Sequence, residues 1–165
     1  MTTPRTWPKA TPFEKTIENA SLITLVGLIF YSIYIYGQLP AEIPHHFNGL
    51  GEPDSWGHKS ILFALPGIAL VLYILMTLIP KSPYNLTNSF VRITEENENV
   101  QVQIVREQMG IIKLLCLLLL AYLTWGTAQA GLGRIETLSP IVLYGFMALM
   151  LVVIFWYYRK AKANA

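Results

Sequence analysis

The sequence predicts an all-α integral membrane protein of four transmembrane helices, with both termini on the cytoplasmic side. Three observations carry this. Of 165 residues, 53% are hydrophobic and only 13% charged, too apolar a balance for an ordinary soluble chain of single-domain length. Asp, Glu, Lys and Arg are absent from four stretches, 19–41, 60–80, 114–133 and 137–158. Each reaches the roughly 20 residues needed to cross about 30 Å of hydrocarbon. Lys and Arg are also partitioned. Arg5, Lys9, Lys15, Lys81, Arg92, Arg106, Lys113, Arg159, Lys160 and Lys162 fall on one side of the runs, against Lys59 and Arg134 on the other. Basic residues stay in the cytoplasm, so the connection between the first two helices is expected to face outward.

The elements follow in order. Residues 1–16, with Pro4, Pro8 and Pro12, are expected to be a flexible cytoplasmic segment that touches the interface through Trp7 and Phe13. The first helix, 17–37, is too long for a signal-peptide core and is expected to remain as a span. Tyr31, Tyr34 and Tyr36 form its outer aromatic belt. An outer loop, 39–59, is expected to be ordered but not helical, because Pro40 and Pro44 forbid a regular helix and Gly49, Gly51 and Gly57 supply turns. The second helix, 60–80, carries Pro66-Gly67 near its start, which predicts a kink, and Pro80 and Pro83 stop it.

A polar connection, 81–93, contains the glycosylation sequon Asn85-Leu86-Thr87, which is discounted because the topology places it inside. Thr94-Glu95-Glu96 reads as a helix start, a threonine cap with acids in the first turn. Val100, Ile104, Ile111 and Leu115 recur at helical spacing. The third helix, 95–131, therefore extends into the cytoplasm, there to lie on lipid or to bind a regulator. Within it Thr124, Thr127 and Gln129 can bond across helices, and Gly126 and Ala130 permit close approach to a helix of this chain or of a second copy. Ser139-Pro140 opens the fourth helix, 139–158, and Trp156-Tyr157-Tyr158 forms an inner belt before the tail, 159–165. The whole membrane domain is 17–158.

Several functions are excluded. No Asp, Glu, Lys, Arg or His falls inside the four runs, so an intramembrane proton relay of the usual kind is not expected. No phosphate loop, nucleophile elbow, HExxH or paired-cysteine motif occurs. Cys116, the single cysteine, admits no intrachain disulfide. The net charge of +2 reflects topology and gives no case for nucleic acid.

The outer loop holds all three histidines. His46, Asp54 and His58, with Glu42, His45 and Glu52 nearby, could bind a transition metal, but no known ligand spacing is present. Alternatively Asp54 and His46 hold a compact cap together, Trp56 anchors it at the interface, and Lys59 reaches the headgroups.

The run Ile43-Pro44-His45-His46-Phe47-Asn48-Gly49-Leu50-Gly51-Glu52-Pro53-Asp54-Ser55-Trp56-Gly57-His58-Lys59 resembles the signature of a bacterial membrane domain of unknown function. That domain also forms the N-terminal part of SdpI-type proteins, which protect cells from a sporulation-delaying peptide toxin and take part in signalling. The resemblance covers roughly residues 17–125. It implicates Pro44, His46, Phe47, Asn48, Gly51, Asp54, Trp56, Gly57 and Lys59 in the loop. It also includes a second stretch, Val91 to Asn97, whose Thr94, Glu95, Glu96 and Asn97 are the expected cytoplasmic partner segment. His45 and His58 stand where the family has small or hydroxyl residues. SdpI-type proteins continue into a further membrane module, so immunity does not transfer directly.

The expectation is a non-enzymatic, cofactor-free, multi-pass protein of the bacterial cytoplasmic membrane. Its outer loop would recognise a peptide toxin or other envelope component. Alternatives are a metal-binding enzyme or accessory subunit using His46 and Asp54, and a structural subunit that assembles through Gly126 and Ala130.

Overall fold

The computed structural model describes residues 8–78 and 91–165. The expectations for Trp7, Pro80, Pro83 and the Asn85 sequon lie outside these residues. Among the described residues, four helical stretches are long and apolar enough to cross a membrane. They are α1 (Pro12–Tyr36), a 3-10 turn (Lys59–Phe63) running into α2 (Ala64–Leu78), α3 (Glu98–Gly131) and α4 (Pro140–Ala163). Between α1 and α2 lies an antiparallel hairpin of β1 (Glu42–Phe47) and β2 (Pro53–His58). The described residues are thus mostly helical, with one small sheet at one end.

Helix boundaries depart from the sequence expectation for identifiable reasons. α1 starts at Pro12 rather than 17. Thr11 and Glu14 form a reciprocal cap, Glu14 N–H to Thr11 Oγ1 at 3.1 Å and Thr11 N–H to Glu14 Oε2 at 2.7 Å, with Pro12 in the first turn. Residues 12–16 are therefore helix, not flexible lead. α3 starts at Glu98 rather than 95, after a turn at 95–97 that Thr94 and Asn97 close with the same reciprocal bonds as Thr11 and Glu14. The Thr94 N–H donates to Asn97 Oδ1 at 2.9 Å, and the Asn97 N–H donates to Thr94 Oγ1 at 3.3 Å. α4 runs on to Ala163, with Lys160 held by Glu107 at 2.7 Å and the helix end held by Gln101.

Just before Pro66, where a kink is expected, the helix changes type. The 3-10 turn ends at Phe63, so Pro66 falls in the first turn of α2, where an N–H would lack a helical partner anyway.

α1, α2 and α3 pack on one another, and α4 packs on α3. At mid-height Leu25, Leu28, Ala69 and Leu117 form a buried cluster. Under the hairpin, Ile35, Leu39, Ile43, Leu62 and Ala128 form another. At the opposite end Val91 and Ile104 meet Tyr157 and Ala161. The rest of α4 is nearly bare: Ile141, Leu151, Phe155 and Trp156 are exposed. Such a surface suits hydrocarbon rather than water.

Gly126 and Ala130 are occupied within the chain. A Cβ on Gly126 would lie 2.0 Å from Leu138 Cδ2, and Ala130 is buried. Neither is free to seat a second copy. Gln129 makes the expected bond across helices, donating to Tyr31 Oη at 3.1 Å, whereas Thr124 bonds back to Leu120 O in its own helix. Of the tyrosine belt, Tyr34 is exposed, but Tyr31 is drawn into that bond and Tyr36 lies against Phe63.

Candidate functional site: a hairpin cap on the helix bundle

The loop between α1 and α2 folds because its polar residues complete its own turns. Asn48 closes the tip: its Oδ1 accepts from the N–H groups of Leu50 (2.9 Å) and Glu52 (3.0 Å), and its Nδ2 donates to Glu52 Oε2 at 2.9 Å. Gly51 follows with φ +79°, a conformation that costs a side chain but not glycine.

Three attachments hold the hairpin down. At the tip, the Leu138 N–H donates to Gly51 O at 2.8 Å and Tyr144 Oη donates to Gly49 O at 3.1 Å. In the middle, Ile43 is fully buried over Gly131, where a Cβ would lie 2.7 Å from Ile43 Cγ2. At the base, the Lys59 ammonium donates to Tyr36 O (3.3 Å) and Leu39 O (3.1 Å) and sits 4.7 Å from the Tyr36 ring centroid. Lys59 therefore caps the carbonyl end of α1, where a cation is favoured, rather than reaching for headgroups.

The residues singled out from sequence divide into two sets. Pro44, Asn48, Gly51, Gly57 and Lys59 build or fasten the hairpin. Pro44 is buried, and a Cβ on Gly57 would lie 3.1 Å from His45 Nδ1. Phe47 is half-buried at the end of β1. His46, Asp54 and Trp56 are displayed. His46 Nδ1 lies 2.5 Å from Asp54 Oδ1 with both side chains substantially exposed, and Trp56 is 56% exposed. At the other end of the bundle, Thr94, Glu95 and Glu96 are exposed in the turn before α3, and the Asn97 amide donates to Arg92 O at 3.1 Å.

What this arrangement can do chemically is limited. His46 and Asp54 offer a metal two donors. His58 is engaged elsewhere, its Nδ1 2.9 Å from Ser60 Oγ, and no group of three or more His, Cys, Asp or Glu among the described residues is placed to hold an ion. Nor is a serine relay assembled. Ser55 Oγ lies 3.2 Å from His45 Nε2, while the carboxylate of Asp54 bonds the other imidazole. A relay needs one imidazole between hydroxyl and acid.

A second polar centre at the far end of the bundle escaped the sequence reading. Lys113, 2% exposed, pairs with Glu18 and donates to Thr77 Oγ1 at 3.0 Å, and Tyr73 Oη donates to Glu18 Oε1 at 2.7 Å. Arg106 and Glu14 pair at 3.0 Å. Glu14, Glu18, Thr77, Arg106 and Lys113 border a cavity of about 570 Å³ between α1, α2 and α3. The signal was present in the sequence: Glu18 and Lys113 are opposite charges at the edges of two charge-free runs on the same side of the bundle.

Residues 23–70 match the model of a domain of unknown function (DUF1648). That segment contains the whole hairpin, the latter part of α1 and the first part of α2. An uncharacterized protein of Archaeoglobus fulgidus is 26% identical over 164 residues, covering 91% of this chain and 90% of its own length. The similarity therefore extends beyond the matched domain to nearly the full four-helix chain. No solved structure matches it.

Proposed function

We propose that this chain is a non-enzymatic, multi-pass protein of the cytoplasmic membrane whose hairpin faces outward and recognises a peptide or other envelope component. One observation carries the proposal. The hairpin is fastened at tip, middle and base, yet it leaves His46, Asp54 and Trp56 exposed on a fixed frame. Rigid display of an aromatic and two polar groups lowers the ordering cost of binding. The Lys and Arg distribution supports the outward orientation. The resemblance of the loop to SdpI-type proteins supports toxin defence or envelope signalling as the setting, with the exposed Thr94–Glu96 turn as the contact for a regulator.

The test is complementation. A deletion strain is challenged with membrane-active peptides and rescued with the unaltered chain, with Trp56→Ala or with His46→Ala. Rescue by the unaltered chain and failure of both variants at equal membrane abundance is the expected result. Unchanged peptide sensitivity on deletion, with no transcriptional response, contradicts the proposal.

A further inference from the structure

The two edges of the hairpin are not equivalent. β1 packs against α3 and the 3-10 turn, whereas β2 packs against β1. The sheet has two strands, so among the described residues no strand lies beyond β2. The register then decides which backbone groups β2 leaves open. The Lys59 N–H donates to Ala41 O at 2.9 Å, and two residues along, Ile43 stands opposite Gly57. Antiparallel pairs alternate, so Ile43–Gly57 is a hydrogen-bonded pair, while Pro44–Trp56 and Glu42–His58 are not. Pro44, which has no N–H to give, occupies a position where the ladder asks for none. Trp56 consequently turns its N–H and C=O, and His58 its N–H, away from β1 toward the open edge, while the His58 carbonyl opens the 3-10 turn that His58 caps.

Charge at this end is also one-sided. Glu42, Glu52, Asp54 and Glu136 face Lys59 and Arg134, and Lys59 is committed to the end of α1. An unpaired strand edge is a template for another extended chain, and a net negative surround selects a positive one.

We infer that the outer edge of β2, through the N–H and C=O of Trp56 and the N–H of His58, binds an extended cationic peptide by strand addition. This rests on the recognition role proposed above and names its ligand class and binding mode. The Trp56 side chain, exposed beside the edge, supplies an apolar contact for the residues of the added strand. The acidic groups select lysine or arginine on it.

The probe is a synthetic peptide of alternating lysine and valine, titrated calorimetrically into the full chain in neutral detergent. Two companion peptides are used. One is N-methylated at consecutive central amides, so that both of its edges are blocked, and the other carries glutamate in place of lysine. Binding of the plain peptide and at least about tenfold weaker binding of both companions is expected. On the protein, Trp56→Pro removes the outward N–H without removing a bond to β1, and Trp56→Ala removes only the side chain. The proline variant should bind at least about tenfold more weakly than the alanine variant. Absent binding of the plain peptide, or equal binding of the N-methylated one, overturns the inference even if Trp56→Pro fails to fold. Complementation by the hairpin variants reads the recognition role independently, so strand addition can fail while that role stands.

Discussion

Leu138 is bonded to Gly51 through the backbone and packs its side chain over Gly126, so one residue of the α3–α4 connection locks the hairpin tip and closes the top of α3. The N–H to O distance is 2.8 Å, and Leu138 is 1% exposed. The hairpin is therefore an integral part of the bundle rather than an appendage.

Substituting Gly51→Ala tests that contact. The left-handed conformation alone costs a side chain about 1–2 kcal/mol. A Cβ would also lie 1.9 Å from the Leu138 carbonyl oxygen, a backbone atom that cannot rotate away. Gly133→Ala is the control, because Gly133 has φ +68° with open space around it. Denaturation in detergent should show Gly51→Ala destabilised clearly more than Gly133→Ala. Equal losses would mean that the tip does not dock.

Lys59→Met keeps most of the apolar stem and removes the ammonium from the carbonyls of Tyr36 and Leu39. Loss of charged hydrogen bonds at a helix C-terminus should cost about 1.5–3 kcal/mol. Amide hydrogen exchange should rise in the last turn of α1 and at the base of the hairpin, and remain unchanged around Leu117.

His46 and Asp54 behave differently. Their pair is exposed, and such pairs contribute about 0.2–1 kcal/mol. His46→Ala and Asp54→Asn should leave the denaturation midpoint almost unmoved while abolishing complementation. A large stability loss would assign the pair to the frame instead of the displayed surface.

At the opposite end, Lys113→Met leaves the Glu18 carboxylate, 41% exposed, without its counter-ion. Because solvent reaches that carboxylate, the loss should lie nearer the about 1 kcal/mol of an exposed pair than the about 3–5 kcal/mol of a fully buried one. Adding Glu18→Gln should recover part of that loss. A double variant less stable than Lys113→Met would show that the Tyr73 and Thr77 contacts, not the ion pair, govern this cluster.

Much of the architecture was legible in the sequence because membrane spans are written as runs without charge. The ends were not, because charge marks a boundary only while it stays in water. Glu14 and Lys160, beyond the expected ends of the first and fourth helices, find partners on neighbouring helices and remain helical. The hairpin was legible as an ordered, non-helical loop through Pro40, Pro44 and its glycines. Its strand pairing was hidden, since β1 has no clean alternation and its ladder slips between Pro44 and Phe47. Lys59 was assigned to headgroups because nothing local announces that a lysine will cap a helix that ended more than twenty residues earlier. The division of the loop into frame and display needed the contacts of Leu138, Tyr144 and Gly131, all distant in sequence.

The outward placement of the hairpin is the claim on which recognition depends, and one labelling measurement tests it. Leu50, at the tip and 67% exposed, is changed to cysteine in a Cys116→Ser background, and intact cells are treated with a membrane-impermeant maleimide. Labelling in intact cells is the predicted result; protection in intact cells with labelling only after lysis would contradict the account.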